Sequence, residues 1–151
     1  MIRKKEIRKA VRAIVTDAEH KILLVFDTYK NYYSLPGGGV EEIDRTDEEA
    51  IIREVMEETG YITRIIFDLD YYQEESEKRI NKSHGFITKV INVKSKKLNM
   101  DEQNFENVWM PLEEAILKIK QDLNNHNYSK FKSFFERELF FLEKAKIYLQ
   151  N

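Results

Sequence analysis

The pattern of hydrophobic and polar positions in the first part of the chain predicts three strands and a helix. Residues 11–15 and 22–26 are apolar, β-branched runs on either side of a polar tetrad, which predicts a β-hairpin. A short strand is predicted over residues 32–35, where Pro36 and three glycines end it. A helix is predicted over residues 46–59, because apolar positions recur at helical spacing between a Thr46 N-cap and Gly60.

The remaining pattern predicts further strands and then two helices. Residues 61–72 predict a long, bent strand, and the polar residues 73–83 predict a turn or mobile loop. Strands are predicted over residues 86–93 and 108–110, and helices over residues 112–123 and 129–150. This order predicts a layered α+β fold in a single domain of residues 1–151.

Composition and charge exclude several classes of protein. The chain has 25 Lys plus Arg against 27 Asp plus Glu, a net charge of −2, whereas a general nucleic-acid-binding protein needs a basic excess. Cysteine is absent, which excludes disulfides, thiolate metal ligands and a cysteine nucleophile. The apolar runs are too short to cross a membrane, and the N-terminus lacks a signal-peptide pattern. We therefore expect a cytoplasmic protein with no membrane partner.

Three glutamates of the predicted helix carry the candidate chemistry. Glu54, Glu57 and Glu58 stand at i, i+3 and i+4 and therefore share a face, away from Val55. Such carboxylates repel one another unless a cation lies among them, and closely spaced oxygen ligands suit Mg²⁺ or Mn²⁺. Arg53 could pair with a neighbouring carboxylate or bind a phosphate.

A solvated acidic helix face is the alternative explanation, because 19 of the 151 residues are glutamate. The glycine loop directly before the helix favours a metal site instead. Three of the five glycines are consecutive there, at Gly37–Gly39. Such a loop offers backbone carbonyls to a metal and N–H groups to a phosphate.

The stretch from Gly39 to Tyr61 resembles the Nudix box, the signature of the Nudix hydrolases. Residues 53–60 match its second half, Arg-Glu-U-x-Glu-Glu-x-Gly with U aliphatic, at every fixed position. The preceding residues 35–42 and the late segment 109–114 also resemble the family. The resemblance implies a Nudix-type α/β/α sandwich. It has a mixed β-sheet with the catalytic helix on one side, and the C-terminal helices pack on the domain.

The resemblance implies a Nudix-type pyrophosphohydrolase that depends on Mg²⁺ or Mn²⁺. Its reaction would be cleavage of a diphosphate linkage in a nucleoside diphosphate derivative, either a nucleoside triphosphate or a nucleotide sugar. A nucleotide-like small molecule is then the expected partner. The alternative is a non-catalytic Nudix-like module that binds a nucleotide or a partner protein.

The resemblance also implies which residues act. The catalytic set is Arg53, Glu54, Glu57 and Glu58, and one of these glutamates would also act as general base. The implied metal ligands are the three helix glutamates and a backbone carbonyl of the loop: Glu54, Glu57, Glu58, and Gly38 or Gly39. In many relatives a further glutamate before the late Trp-x-Pro segment joins them. Glu102 lies nearest to that place, with Asp101 and Glu106 as rivals.

The first half of the box departs from the family pattern. Counting back from Arg53, the first glutamate of the box falls on Arg45, which reverses the charge. An inserted residue near Arg45 is the simplest interpretation, with Asp44 nearest to the missing carboxylate. Arg45 would then point to solvent ahead of the N-cap.

Three further residues are candidates for substrate binding. Arg12 could meet a phosphate, with an exposed strand position as the alternative. Tyr33 could stack on a base or pack at the core rim, and His84 could touch substrate or lie on the surface or in a turn. The aromatic last helix predicts core packing, with a homodimer interface or a substrate lid as the alternative.

Overall fold

A computed structural model describes residues 4–94 and 104–150 of the chain. Its elements in chain order are β1 (Glu6–Thr16), β2 (Ile22–Asp27), β3 (Tyr32–Ser34), β4 (Gly37–Gly39), α1 (Asp47–Thr59), β5 (Tyr61–Glu75), β6 (Arg79–Val93), β7 (Phe105–Met110), α2 (Leu112–Leu123), a 3₁₀ helix (His126–Phe131) and α3 (Lys132–Leu149). None of these helices is long and apolar enough to cross a membrane.

The strands form one mixed sheet in the order β3-β2-β1-β6-β5, with β4 also paired to β1 and β7 to β2. β1 runs parallel to β6 from Glu6 opposite Arg79 to Thr16 opposite Lys89. The other pairs are antiparallel, including the predicted β1–β2 hairpin, in which Thr16 lies opposite Ile22.

Alternate residues of β1 enter two different cores, because successive side chains of a strand point to opposite faces. Val11, Ala13 and Val15 pack with Ile51 and Val55 of α1. On the opposite face, Ile14 belongs to the core that contains the buried residues of α2 and α3. Helices therefore cover both faces of the sheet, which confirms the predicted α/β/α sandwich.

The prediction of a turn or mobile loop over residues 73–83 was correct only for residues 76–78 and was wrong for the rest. β5 continues to Glu75 and β6 begins at Arg79, so that only a short turn joins them. Gln73 pairs with Lys82, and Glu74 pairs with Asn81. These side chains are exposed or half-buried, so the local pattern lacks the apolar alternation by which a strand is recognised.

β5 is bent, as predicted, because its pairing with β6 shifts register at three places. The last shift lies between Asp68 and Tyr71, where Asp70 adopts a φ of 68°. Such bulges turn individual side chains out of the regular alternation. Leu69 is fully buried, while Asp68 is exposed toward the start of α1.

Candidate active site

The caps of α1 follow from its local sequence. Thr46 is the N-cap, and its hydroxyl accepts a hydrogen bond from the backbone N–H of Glu49 at 3.1 Å. Gly60 ends the helix with a φ of 85°, and its N–H donates to the carbonyl of Met56. Glycine tolerates this left-handed conformation at no steric cost. Both predicted ends of the helix are confirmed.

The two faces of α1 differ in the way the spacing predicts. Ile51 and Val55 are fully buried against the sheet. On the other face, the side chain of Glu54 is 14% exposed and that of Glu57 is 38% exposed. Glu58 is 7% exposed. The acidic face is thus largely covered by protein, which argues against a solvated helix face.

Two glycines of β4 are required by close approaches of the backbone. A Cβ atom on Gly37 would clash with the carbonyl oxygen of Val11. A Cβ atom on Gly38 would lie 2.6 Å from the carboxylate of Glu54. A Cβ atom on Gly39 would meet nothing within 4 Å. The glycine loop expected from the sequence is thus the short strand β4, which presses against the acidic face of α1 at Gly38.

The guanidinium of Arg53 joins the helix carboxylates to the segment before the helix. Its Nη1 donates to Glu54 at 2.9 Å and to Glu57 at 3.0 Å. Its Nε and Nη2 donate to the two oxygens of Asp44 at 2.9 and 2.8 Å. These hydrogen bonds hold the pKa of Asp44 below its ordinary value, and they raise that of Arg53. Nη2 also donates to the carbonyl of Gly39 at 3.3 Å.

Asp44 and Arg45 occupy opposite environments. The side chain of Asp44 is 3% exposed, and it also accepts a hydrogen bond from the backbone N–H of Glu41. Arg45 is exposed immediately before the Thr46 N-cap, as the insertion hypothesis predicts. Asp44 is thus the acidic residue next to Arg45, where the chain departs from the family pattern, and it is held by Arg53.

Arg12 is buried rather than exposed on its strand. It is 7% exposed, and it makes a bidentate ion pair with Glu138 of α3. It also lines a pocket of about 180 Å³ together with Lys30, Tyr32, Glu58 and other residues. The structure thus brings Arg12 beside one of the helix glutamates.

Tyr33 is not brought to this pocket. Its ring packs 4.7 Å from the ring of Phe26, and the ammonium of Lys118 lies 5.9 Å from its centroid. Its backbone N–H donates to Asp122 of α2. Tyr33 is therefore a half-buried residue at the edge of the core, and its neighbour Tyr32 lines the pocket instead.

His84 lies in the middle of β6 and is 5% exposed, so the surface or turn interpretation was wrong. Its Nδ1 lies 2.9 Å from Asp47, and its Nε2 lies 2.7 Å from Asp68. The ring of Tyr71 stacks on it at 4.2 Å. Within the described residues, ligand atoms of His84, Asp68 and Glu48 lie within 4.8 Å of one another.

This histidine cluster borders a pocket of about 240 Å³ at the start of α1. It shares no residue with the carboxylates that Arg53 joins, although one of those carboxylates, Asp44, lines the same pocket. Its members come from α1, β5 and β6, so no local pattern connected them. Asp68 in particular is aimed at His84 from the bulged part of β5.

Of the three remaining candidate acidic ligands, only Glu106 lies within the described residues. Glu102 and Asp101 lie outside the described residues. Glu106 is exposed on β7. Glu138 is a residue that sequence analysis missed, although a charge within the aromatic stripe of α3 was a signal for it.

The donor set on α1 fits a hard divalent cation. Glu54, Glu57 and Glu58 supply carboxylate oxygens, which Mg²⁺ and Mn²⁺ prefer. The absence of a side chain at Gly38 leaves the space that the Glu54 carboxylate occupies. The backbone of the glycine loop thereby stands next to that carboxylate.

The fold and this site define an α/β/α domain in which a glycine loop abuts an acidic helix. A sequence profile of the NUDIX domain matches residues 6–132, so the chain belongs to the NUDIX domain family.

Among characterised relatives, the chain is similar to the ADP-ribose pyrophosphatase of Methanocaldococcus jannaschii. The identity is 36% over 77 residues, covering 43% of this chain and 44% of the relative. The matched part thus spans less than half the length of that relative.

Two solved structures are similar to this chain in fold. The NUDIX hydrolase from Nitrosomonas europaea has 21% identity and a TM-score of 0.61, covering 76% of this chain and 78% of that chain. The MutT protein from Methanosarcina mazei Go1 has 24% identity and a TM-score of 0.58, covering 90% of this chain and 97% of that chain. These matches confirm the α+β sandwich.

Proposed function

We propose that this protein is a metal-dependent pyrophosphohydrolase that cleaves a diphosphate linkage in a nucleoside diphosphate derivative. The observation that carries the proposal is the contact of Arg53 with Glu54 and Glu57 on a covered helix face, next to Gly38. Membership of the NUDIX domain family supports the same reaction class. A nucleotide sugar such as ADP-ribose is the first substrate to test, since a relative with that activity shares 36% identity over the matched part.

The proposed ion is Mg²⁺ or Mn²⁺. Glu54, Glu57 and Glu58 would hold it, with the backbone carbonyl of Gly38 or Gly39, and Glu102 remains a further candidate ligand. When bound, such an ion neutralises phosphate charge and lowers the pKa of a bound water.

The protein's own residues would position the reactants. Arg53 holds the carboxylates of Glu54 and Glu57 in place, and its positive charge offsets the repulsion between them. One of the three helix glutamates accepts the proton of the attacking water. Arg12 faces the pocket beside Glu58 and would bind substrate phosphate.

A substrate screen tests the proposed reaction. Purified protein is incubated with ADP-ribose, UDP-glucose, the nucleoside triphosphates and diadenosine polyphosphates, with Mg²⁺ or with EDTA, and the products are separated by ion-exchange chromatography. We expect Mg²⁺-dependent release of a nucleoside monophosphate from at least one compound.

The Glu57→Gln variant is the negative control for the screen, because Glu57 belongs to the proposed site. Glu143→Gln is the matched surface control, since Glu143 is half exposed on α3. Absence of turnover in the wild-type protein, together with nucleotide binding, would contradict the hydrolase and favour the non-catalytic module.

A further inference from the structure

A fully buried glutamate ties α3 to the strand that leads into the glycine loop. Glu138 is 0% exposed, and Arg12 donates to its two oxygens from Nε at 3.0 Å and from Nη2 at 2.7 Å. The backbone N–H of Leu35 donates to the same carboxylate at 2.6 Å, and Arg12 donates to the carbonyl of Leu35. One carboxylate therefore fixes both the Arg12 side chain and the segment before Gly37.

The charges of this buried cluster do not balance. Arg137 also donates to Glu138, at 3.1 Å, so two guanidinium groups share one carboxylate. Burial, and then the charge of Arg12, lower the pKa of Arg137. Both guanidinium groups also lie over the ring of Phe134, Arg12 at 5.8 Å and Arg137 at 5.0 Å. A further anion beside such a cluster is electrostatically favoured.

Glu58 is one source of that negative charge. Burial lowers the pKa of Arg12, but the charge of Glu138, and then those of Glu58 and Glu54, raise it above its ordinary value. A divalent cation on Glu58 would cancel its attraction for Arg12. The pocket would then present the cations Arg12 and Lys30 beside the ion, an arrangement suited to a phosphate.

We propose that Glu138 is a positioning residue, which holds Arg12 beside Glu58 so that Arg12 binds a phosphate group of the metal-bound substrate. This inference rests on the proposed function, because it assumes that a diphosphate compound enters the pocket. Glu138 lies beyond residues 6–132, which match the family profile. The positioning contact is thus supplied by the part of α3 that follows the matched residues.

Replacing Glu138 by glutamine tests the proposal, since it keeps the side-chain size and removes the charge that orients Arg12. The probe is α,β-methylene-ADP, a diphosphate whose bridging carbon resists cleavage. Its Kd is measured by calorimetry at saturating Mg²⁺, well below the melting temperature of each protein. We expect Kd to rise about tenfold in Glu138→Gln, because Arg12 would no longer be held toward the probe and would lose a charge-assisted hydrogen bond to it, whereas the Kd of Mg²⁺ alone changes less than about twofold.

Three further variants make the result specific. Glu143→Gln removes a charge from the same helix, where its partner Lys120 is 3.7 Å away, and should leave Kd unchanged. Glu138→Asp keeps the charge and should recover part of the affinity. Arg12→Lys keeps the cation but loses the guanidinium fork, so it should weaken probe binding even if Glu138→Gln does not fold.

Steady-state kinetics separate positioning from a merely structural contact. We expect KM to rise in Glu138→Gln with kcat within about threefold of wild type, because the lost contact is made in the bound substrate. A lower melting temperature with unchanged probe Kd and KM, in both Glu138→Gln and Arg12→Lys, would overturn the inference. Wild-type protein that binds the probe in a Glu138-dependent way but turns over no substrate would contradict the hydrolase alone.

Discussion

At the scale of single residues, Arg53 connects two parts of the site that are separated in sequence. It donates two hydrogen bonds to Asp44, which precedes α1 in the chain. Its third nitrogen donates to Glu54 and Glu57 of α1. Repulsion among the carboxylates is therefore relieved even without a metal ion. Removing the charge of Glu57, the most exposed of the three helix glutamates, should accordingly affect chemistry far more than folding.

Glu57→Gln is expected to lower turnover by about 100-fold or more, because a charged ligand of the proposed ion is lost. Its side chain is 38% exposed and pairs with Arg53, so the free energy of unfolding should change by less than about 1 kcal/mol. Turnover at saturating Mg²⁺ and urea denaturation check the two parts. Turnover within threefold of wild type would show that Glu57 is not a ligand of the proposed ion.

Asp44→Asn is expected to destabilise the protein by about 1–3 kcal/mol near neutral pH, because Arg53 loses a buried charged partner. The pKa of Asp44 is lowered in the folded state by its hydrogen bonds from Arg53. Its stabilising contribution is therefore complete above the unfolded pKa of about 3.9 and is lost as the pH falls through the lower folded value.

The difference in unfolding free energy between wild type and Asp44→Asn should thus shrink below about pH 4. Denaturation at a series of pH values measures this difference. A gap that stayed constant down to about pH 2 would show that the ionised carboxylate does not stabilise the fold.

Arg45→Glu is expected to be neutral or mildly stabilising, by a few tenths of a kcal/mol, because Arg45 is exposed at the positive end of the α1 dipole. Turnover should change little. Calorimetric titration with Mg²⁺ provides the check: a tenfold gain in affinity, about 1.4 kcal/mol, would mean that Arg45 replaces the box glutamate in register rather than following an insertion.

At the scale of elements, the site depends on how closely β4 approaches α1. Gly38→Ala would place a methyl group 2.6 Å from the Glu54 carboxylate and so displace it. We expect this variant to weaken Mg²⁺ binding about tenfold, which is the size of loss found when a residue that orients a metal ligand is replaced. Gly39→Ala is the matched comparison, because its methyl group meets nothing within 4 Å.

Calorimetric titration of both glycine variants measures the effect. Equal losses of Mg²⁺ affinity in the two would show that the close approach at Gly38 is not what matters. Circular dichroism of each variant establishes that α1 and the sheet are retained.

At the scale of the whole molecule, metal binding should stabilise the folded state, since an ion that binds the folded site adds stability by mass action. We expect about 2.7 kcal/mol of added stability at a Mg²⁺ concentration 100 times its Kd, seen as a rise in melting temperature. The double variant Glu54→Gln and Glu57→Gln is the control and should lose most of the rise. An equal rise in that variant would place the ion elsewhere in the protein.

Two helices on opposite faces of the sheet supply residues to the site. α1 supplies the glutamates from one face of the sheet, while α3 reaches Arg12 from the side of the other core. Arg12 and Glu138 are separated by 126 positions in the chain. Their contact depends on the order of the strands and on the packing of α3, and neither is encoded in the local pattern.

Local sequence was sufficient for α1, its two caps and the shared face of its glutamates, because capping and helical spacing involve residues only a few positions apart. The close approach at Gly38 was also signalled locally, by consecutive glycines before an acidic helix. The hairpin around Ser76 was missed, since β5 and β6 there carry polar side chains, and their strands are defined by cross-strand hydrogen bonds rather than by apolar alternation.

The family signature, the acidic helix and the mixed series of strands and helices could therefore be predicted from local patterns in the chain. The three-dimensional fold was needed to show that Arg12 is buried against Glu138, that His84 contacts Asp47 and Asp68, and that Tyr33 lies away from the pocket. The physical reason is the range of the interactions. Periodicity and capping act within one element, whereas these ion pairs and hydrogen bonds join elements that the sheet topology brings together.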